Sequence, residues 1–109
     1  MTKLDLNDKL AALYGLESST MTDYDIYGND FEFLLIDDSA RMFDLMIEHD
    51  LRIRRLDESA EIFYYSFDEE EQEGRWIRVI AKYTDHESKV AAARYAIAMA
   101  LVKLAESKC

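Results

Sequence analysis

The chain predicts an α+β fold: an antiparallel sheet with a long C-terminal helix and two shorter helices packed on it. Three observations carry that expectation. Apolar residues recur at helical spacing in two short segments and one long one. From Leu51 to Tyr83 the spacing changes to two, as half-buried strands require. No composition shift, linker or internal repeat divides the sequence, so residues 1–109 are expected to form a single domain.

The first helix is expected from Lys3 to Tyr14, where Leu6, Leu10 and Leu13 fall on one face and Gly15 stands just past the end. Glu17 to Asp23 is polar and reads as a turn. The following DYDIYGNDFEFLLI holds Gly28-Asn29, a two-residue hairpin signal, and predicts strand arms at Tyr24–Tyr27 and Phe31–Ile36. Asp37, Asp38 and Ser39 then offer N-cap residues for a second helix, with Met42, Leu45 and Met46 on its apolar face and Phe43 and Ile47 flanking it. Acidic residues at its start and His49 at its end suit the helix dipole.

Three strands are expected in LRIRRL, EIFYYSF and WIRVIAKY, separated by Asp57–Ala60 and by the acidic loop Asp68–Gly74. Ile77, Val79, Ala81 and Tyr83 share one face of the last strand, and Trp76, Arg78, Ile80 and Lys82 the other. Arg52 and Arg54 fall on the outer face, within reach of Glu61 or the 68–73 loop. The terminal helix opens with a capping-box pattern, Thr84-x-x-Glu87, and runs to about Ser107 without glycine or proline. Val90, Ala93, Ile97, Leu101 and Leu104 form one apolar stripe, and Tyr95, Met99 and Val102 a second. A helix apolar nearly all round is buried on more than one side. Either sheet and helices of the same chain wrap it, or Tyr95, Met99 and Val102 form an oligomer interface, which makes a homodimer the slightly favoured expectation.

The formal net charge is −10, and it is unevenly spread. Residues 1–50 set Lys3, Lys9 and Arg41 against twelve Asp and Glu, a balance of −9, while residues 51–109 come to −1. Such a chain repels nucleic acid and anionic membranes, so neither is an expected direct partner. Half the residues are apolar, which fits a globular chain. The lone Cys109 supports no internal disulfide, the N-terminus lacks the pattern of a signal peptide, and a cytoplasmic location is expected.

No spacing demands a particular chemistry. His49 and His86 are far apart, and DEEEQEG lacks the alternating ligands and central glycine of a calcium loop, so no metal or other cofactor is expected. Ser39, Ser59, Ser66 and Ser88 have no nucleophile-elbow context, and Gly15, Gly28 and Gly74 read as punctuation. Phe63, Tyr64, Tyr65, Phe67 and Trp76 have the chemistry to stack bases, but a basic track is missing, so core packing is the expectation, with a protein contact as the alternative. The reading is a protein that is not an enzyme.

The segments NDKLAALYGLE, SARMFDLMIEHDLRI and ESKVAAARYAIAMALVKLAE resemble small phage proteins of the NinX-like type, accessory proteins of tailed phages. Their centre tends to read Asp-Ala-Trp-Pro where this chain has Ala40-Arg41-Met42-Phe43. The resemblance implies a phage accessory protein, and with it inhibition of a host defence complex, of anti-CRISPR or anti-restriction type, by direct contact with a host nucleic-acid-handling protein. The residues expected to make that contact, as a nucleic-acid mimic, are Asp23, Asp25, Asp30, Glu32, Asp37 and Asp38, with Asp68, Glu69, Glu70, Glu71 and Glu73. The alternative is a homo-oligomeric module whose terminal helix is the interaction surface.

Overall fold

The computed structural model describes residues 2–15 and 20–107, so Cys109 and the first part of the expected Glu17–Asp23 turn lie outside the described residues. The order is helix α1 (Lys3–Leu13), strands β1 (Thr20–Tyr24) and β2 (Asp30–Leu34), a 3-10 turn (Leu35–Asp37), helix α2 (Ser39–Glu48), strands β3 (Arg52–Arg55), β4 (Ser59–Asp68) and β5 (Glu73–Lys82), a second 3-10 turn (Tyr83–Asp85) and helix α3 (Lys89–Ser107). The fold is α+β with a long C-terminal helix, as expected. Its strands form two separate antiparallel sheets, a three-stranded β3-β4-β5 and a two-stranded β1-β2.

The arrangement has three layers. α3 lies on β4 and β5, and α1 and α2 pack on the other side of α3 together with the first 3-10 turn. Ala60, Ile62, Tyr64, Val79 and Ala81 form the covered face of the sheet, and all are buried. Ala92, Ala96, Ala98 and Ala100 are buried too, and their small side chains let sheet and helices approach the α3 backbone closely. This explains why α3 has no broad polar face: its own chain wraps it. Of the residues expected at an oligomer interface, Val102 is thereby corrected. Val102 is 1% exposed and belongs to the interior, while Tyr95 and Met99 are half-buried against the same core.

Local chemistry explains the helix ends. Thr2 caps α1, its Oγ1 accepting from the Asp5 N–H at 3.1 Å, and Gly15 takes φ +67° just past the C-terminus. Asp38 caps α2 through the Arg41 N–H. α2 ends in a Schellman motif, with the Leu51 N–H donating to the Met46 carbonyl at 2.9 Å and the Asp50 N–H to that of Ile47 at 3.1 Å, which puts Asp50 at φ +56°. The start of α3 differs from the capping box expected at Thr84. Tyr83–Asp85 turns as a 3-10 segment, and Ser88 is the N-cap, its Oγ accepting from the Ala91 N–H at 3.0 Å.

In α1 the buried face is Leu6, Asn7, Leu10 and Ala11, so Leu13 is exposed rather than part of the stripe. Asn7 Oδ1 accepts from the Ile36 N–H at 2.8 Å and fixes α1 to the turn that ends the β1–β2 hairpin. Gly74 is not punctuation, because it sits inside β5 opposite Phe67 and a Cβ there would collide with the Tyr65 side chain.

Candidate functional site

The acidic residues divide into three groups with different surroundings. Asp37 lies between Lys3, at 2.8 Å, and Arg94, at 3.9 Å, and so ties α1 and α3 to the 3-10 turn. Asp38 is the cap of α2 and is further paired with Arg41 at 3.9 Å. Both carboxylates serve the fold.

A second group stands on the β1–β2 hairpin. Its arms run Thr20–Tyr24 and Asp30–Leu34, earlier on the first side than expected, and the link is not a two-residue turn at Gly28-Asn29 but a loop built by Asp25. The Asp25 carboxylate accepts from the N–H groups of Tyr27 and Asn29 at 2.9 and 2.8 Å, and the Gly28 N–H reaches the Asp25 carbonyl. Local side-chain bonding to the backbone outcompetes the shorter turn. With Tyr24 opposite Asp30 and Asp23 opposite Phe31, the pleat puts Tyr24, Asp30 and Glu32 on one face and Asp23, Phe31 and Phe33 on the other. Neither Asp30 nor Glu32 has an ion pair among the described residues.

The hairpin pairs with no strand of the main sheet, and its tip is bare: Ile26 is 92% and Tyr27 82% exposed. The radius of gyration of 15.1 Å and a long axis of 55 Å describe an elongated molecule, since a compact domain of this size has a radius of about 13 Å.

The third group is the β4–β5 loop. Asp68 Oδ1 accepts from the N–H groups of Glu70 and Glu71, so it shapes the turn, while Glu69, Glu70, Glu71 and Glu73 are exposed.

The uncovered face of the main sheet carries Arg52 and Arg54 outward with Arg54 paired to Glu61, as the alternation leads one to expect, but nothing in the sequence marks it as a binding surface. Cross-strand register sets Arg52 beside Phe63, Arg54 beside Glu61, Phe63 beside Arg78 and Tyr65 beside Trp76. The Arg52 guanidinium lies 5.1 Å from the Trp76 ring centroid and that of Arg54 5.6 Å from Phe63. Tyr65 meets Trp76 edge-on at 5.6 Å. Of the aromatics expected in the core, Tyr64 is there; Tyr65, Phe67 and Trp76 are half exposed on this face or its end. A basic track therefore exists, assembled from β3 and β5 around the aromatics of β4, and only the strand register brings it together.

Glu61 is 1% exposed on this face, covered by the arginines it binds rather than by the core. Arg54 donates to one of its oxygens at 2.9 Å and Arg78 to the other at 3.3 Å. The Arg54 hydrogen bond, against an opposing effect of desolvation, holds the Glu61 carboxyl below the usual carboxylate range. Elsewhere, the Tyr14 hydroxyl meets His49 Nε2 at 2.9 Å, and burial, with Glu48 nearby, raises the Tyr14 phenol. An open cleft beside the second 3-10 turn brings Lys3, Asp37, Lys82, Asp85 and His86 to one rim. Among the described residues no group of His, Cys, Asp and Glu has the arrangement of a metal site, and no helix is long and apolar enough to cross a membrane.

Comparison with protein-family models, with curated proteins and with solved structures finds no match.

Proposed function

We propose that this chain is a non-enzymatic binding protein that docks its β1–β2 arm on a basic surface of a nucleic-acid-handling protein and inhibits it, in the manner of a phage accessory protein directed at host defence. One observation carries the reading: an acidic hairpin projects from the fold with its apolar tip bare. A solitary two-stranded hairpin is marginally stable in water. An arm bearing Ile26, Tyr27 and Tyr24 in solvent contributes little to the core and offers aromatic anchors ringed by carboxylates.

The set of contact residues is narrower than the sequence suggests. Asp30 and Glu32 lead it, with Asp23 on the reverse face and the 68–73 loop as a separate acidic surface; Asp25, Asp37 and Asp38 hold structure. Binding through exposed carboxylates is salt-sensitive. The test is capture from nuclease-treated host lysate by the wild-type chain and by the variant Asp30→Lys/Glu32→Lys. The expected result is a nucleic-acid-handling protein retained by the wild type at low salt, released at high salt, and lost by the folded variant. Equal retention by both removes the arm from the reading.

A further inference from the structure

The uncovered sheet face is basic and aromatic in a chain that is otherwise strongly acidic. Arg52, Arg54 and Arg78 stand there against the single carboxylate of Glu61, which two of them already neutralise. Arg52 has no carboxylate partner among the described residues; its guanidinium rests on Trp76 alone. The face also leaves apolar surface open, with Trp76 50% and Tyr65 52% exposed.

The projecting arm has the complementary chemistry. Asp30 and Glu32 are two residues apart on one face of β2, and Arg52 and Arg54 two residues apart on one face of β3. Both spacings are therefore one strand repeat, about 6.8 Å. Tyr24, opposite Asp30 and exposed, adds an aromatic ring beside the carboxylates, as Trp76 and Phe63 flank the arginines. We infer that the β3-β4-β5 face is the docking surface for the β1–β2 arm of a second copy of this chain, with Asp30 and Glu32 meeting Arg52 and Arg54 and Tyr24 packing on the Trp76–Phe63 surface. Two copies exchanging arms close into a dimer, whereas one-way docking propagates head to tail.

This goes beyond the proposed function and has a consequence for it: an arm seated on a second copy is not free for a partner, so self-association and partner binding compete. The two ideas fail separately, because self-association is measured on the protein alone.

The test is analytical ultracentrifugation of the full chain over a concentration series at low and high salt, with circular dichroism to check folding. The wild type is expected to associate at low salt and to dissociate as salt rises. Arg52→Glu, and separately Asp30→Lys/Glu32→Lys, should each weaken association on the order of tenfold or more, since like charges then face each other. Arg52 makes no ion pair, so its replacement leaves the Glu61 triad intact; Arg52→Ser serves if Arg52→Glu does not fold. Mixing the two charge-reversed variants should restore association, because the unaltered acidic arm of the Arg52→Glu chain then meets the unaltered arginine face of the other variant. A wild type that stays monomeric throughout overturns the inference, and so does association that survives both variants or is not restored by mixing. A monomeric chain that binds a fluorescein-labelled single-stranded oligonucleotide, with binding lost in Trp76→Ala, assigns the face to nucleic acid and overturns it as well.

Discussion

The two hairpins of this molecule have similar ingredients and opposite fates. β4–β5 and β1–β2 are both antiparallel, both rich in aromatics, and both closed by loops that an aspartate organises through two backbone N–H groups, Asp68 in one and Asp25 in the other. In β4–β5 every second residue near the base, Ala60, Ile62, Val79 and Ala81, lies under α3 and is buried. Among the described residues of β1–β2, Leu34 at the base packs on the core, while Tyr24, Ile26, Tyr27 and Phe31 remain exposed. Apolar content alone does not separate core from arm; the presence of a covering helix does.

Paired substitutions test that contrast most strongly. Ile62→Ala removes a fully buried side chain facing α3 and should cost about 2–5 kcal/mol in denaturant unfolding. Ile26→Ala should change stability by less than about 0.5 kcal/mol. Similar losses at both positions would mean that the arm belongs to the cooperative core.

The next effect concerns acid. The arginines hold the folded Glu61 carboxyl below its unfolded value, so the stability it contributes is present above the ordinary carboxylate range and is lost as pH falls through the lower folded value. Glu61→Gln should lower the unfolding midpoint near neutral pH and flatten its fall on the acid side. An unchanged acid limb would show that the triad is not linked to folding. A smaller effect is expected at the α3 cap, where Ser88→Ala should cost about 1 kcal/mol and Thr84→Ala distinctly less. The smallest is at the arm tip. Asp25→Ala should leave the melting temperature in place and speed amide exchange only around residues 20–34, since the loop bonds hold the arm and nothing beyond it.

Much of the fold was legible in the residue pattern. The period-two runs gave β3, β4 and β5 to within a few residues, and the glycine after Tyr14 and the aspartates before Ser39 marked helix ends with a physical mechanism. What escaped was set by competition among neighbours or by distant pairing. Ser88 displaced Thr84 as a cap because both have suitable hydroxyls and local spacing does not rank them. Asp25 replaced the Gly28-Asn29 turn because its carboxylate reaches two N–H groups at once. The burial of Asn7 had no local sign, since its partner is the backbone of Ile36.

The candidate surfaces divide the same way. The acidity of the arm was visible directly, and the alternation predicted its two faces only once the register was known. The basic sheet face was legible in part, since alternation put Arg52 and Arg54 outward within reach of Glu61 and Trp76 beside Arg78; their assembly with Phe63 and Tyr65 was not, because it depends on the register of three strands. Within a chain of net charge −10, that face was masked by the average.

The central claim is that the β1–β2 hairpin is an interaction arm and not a structural element. Its most direct test is salt-dependent capture from nuclease-treated host lysate by the wild-type chain beside Asp30→Lys/Glu32→Lys, after both are shown to unfold at the same midpoint. The expected result is a nucleic-acid-handling protein held at low salt by the wild type alone. Equal capture by the two, or an arm variant that unfolds globally, contradicts it.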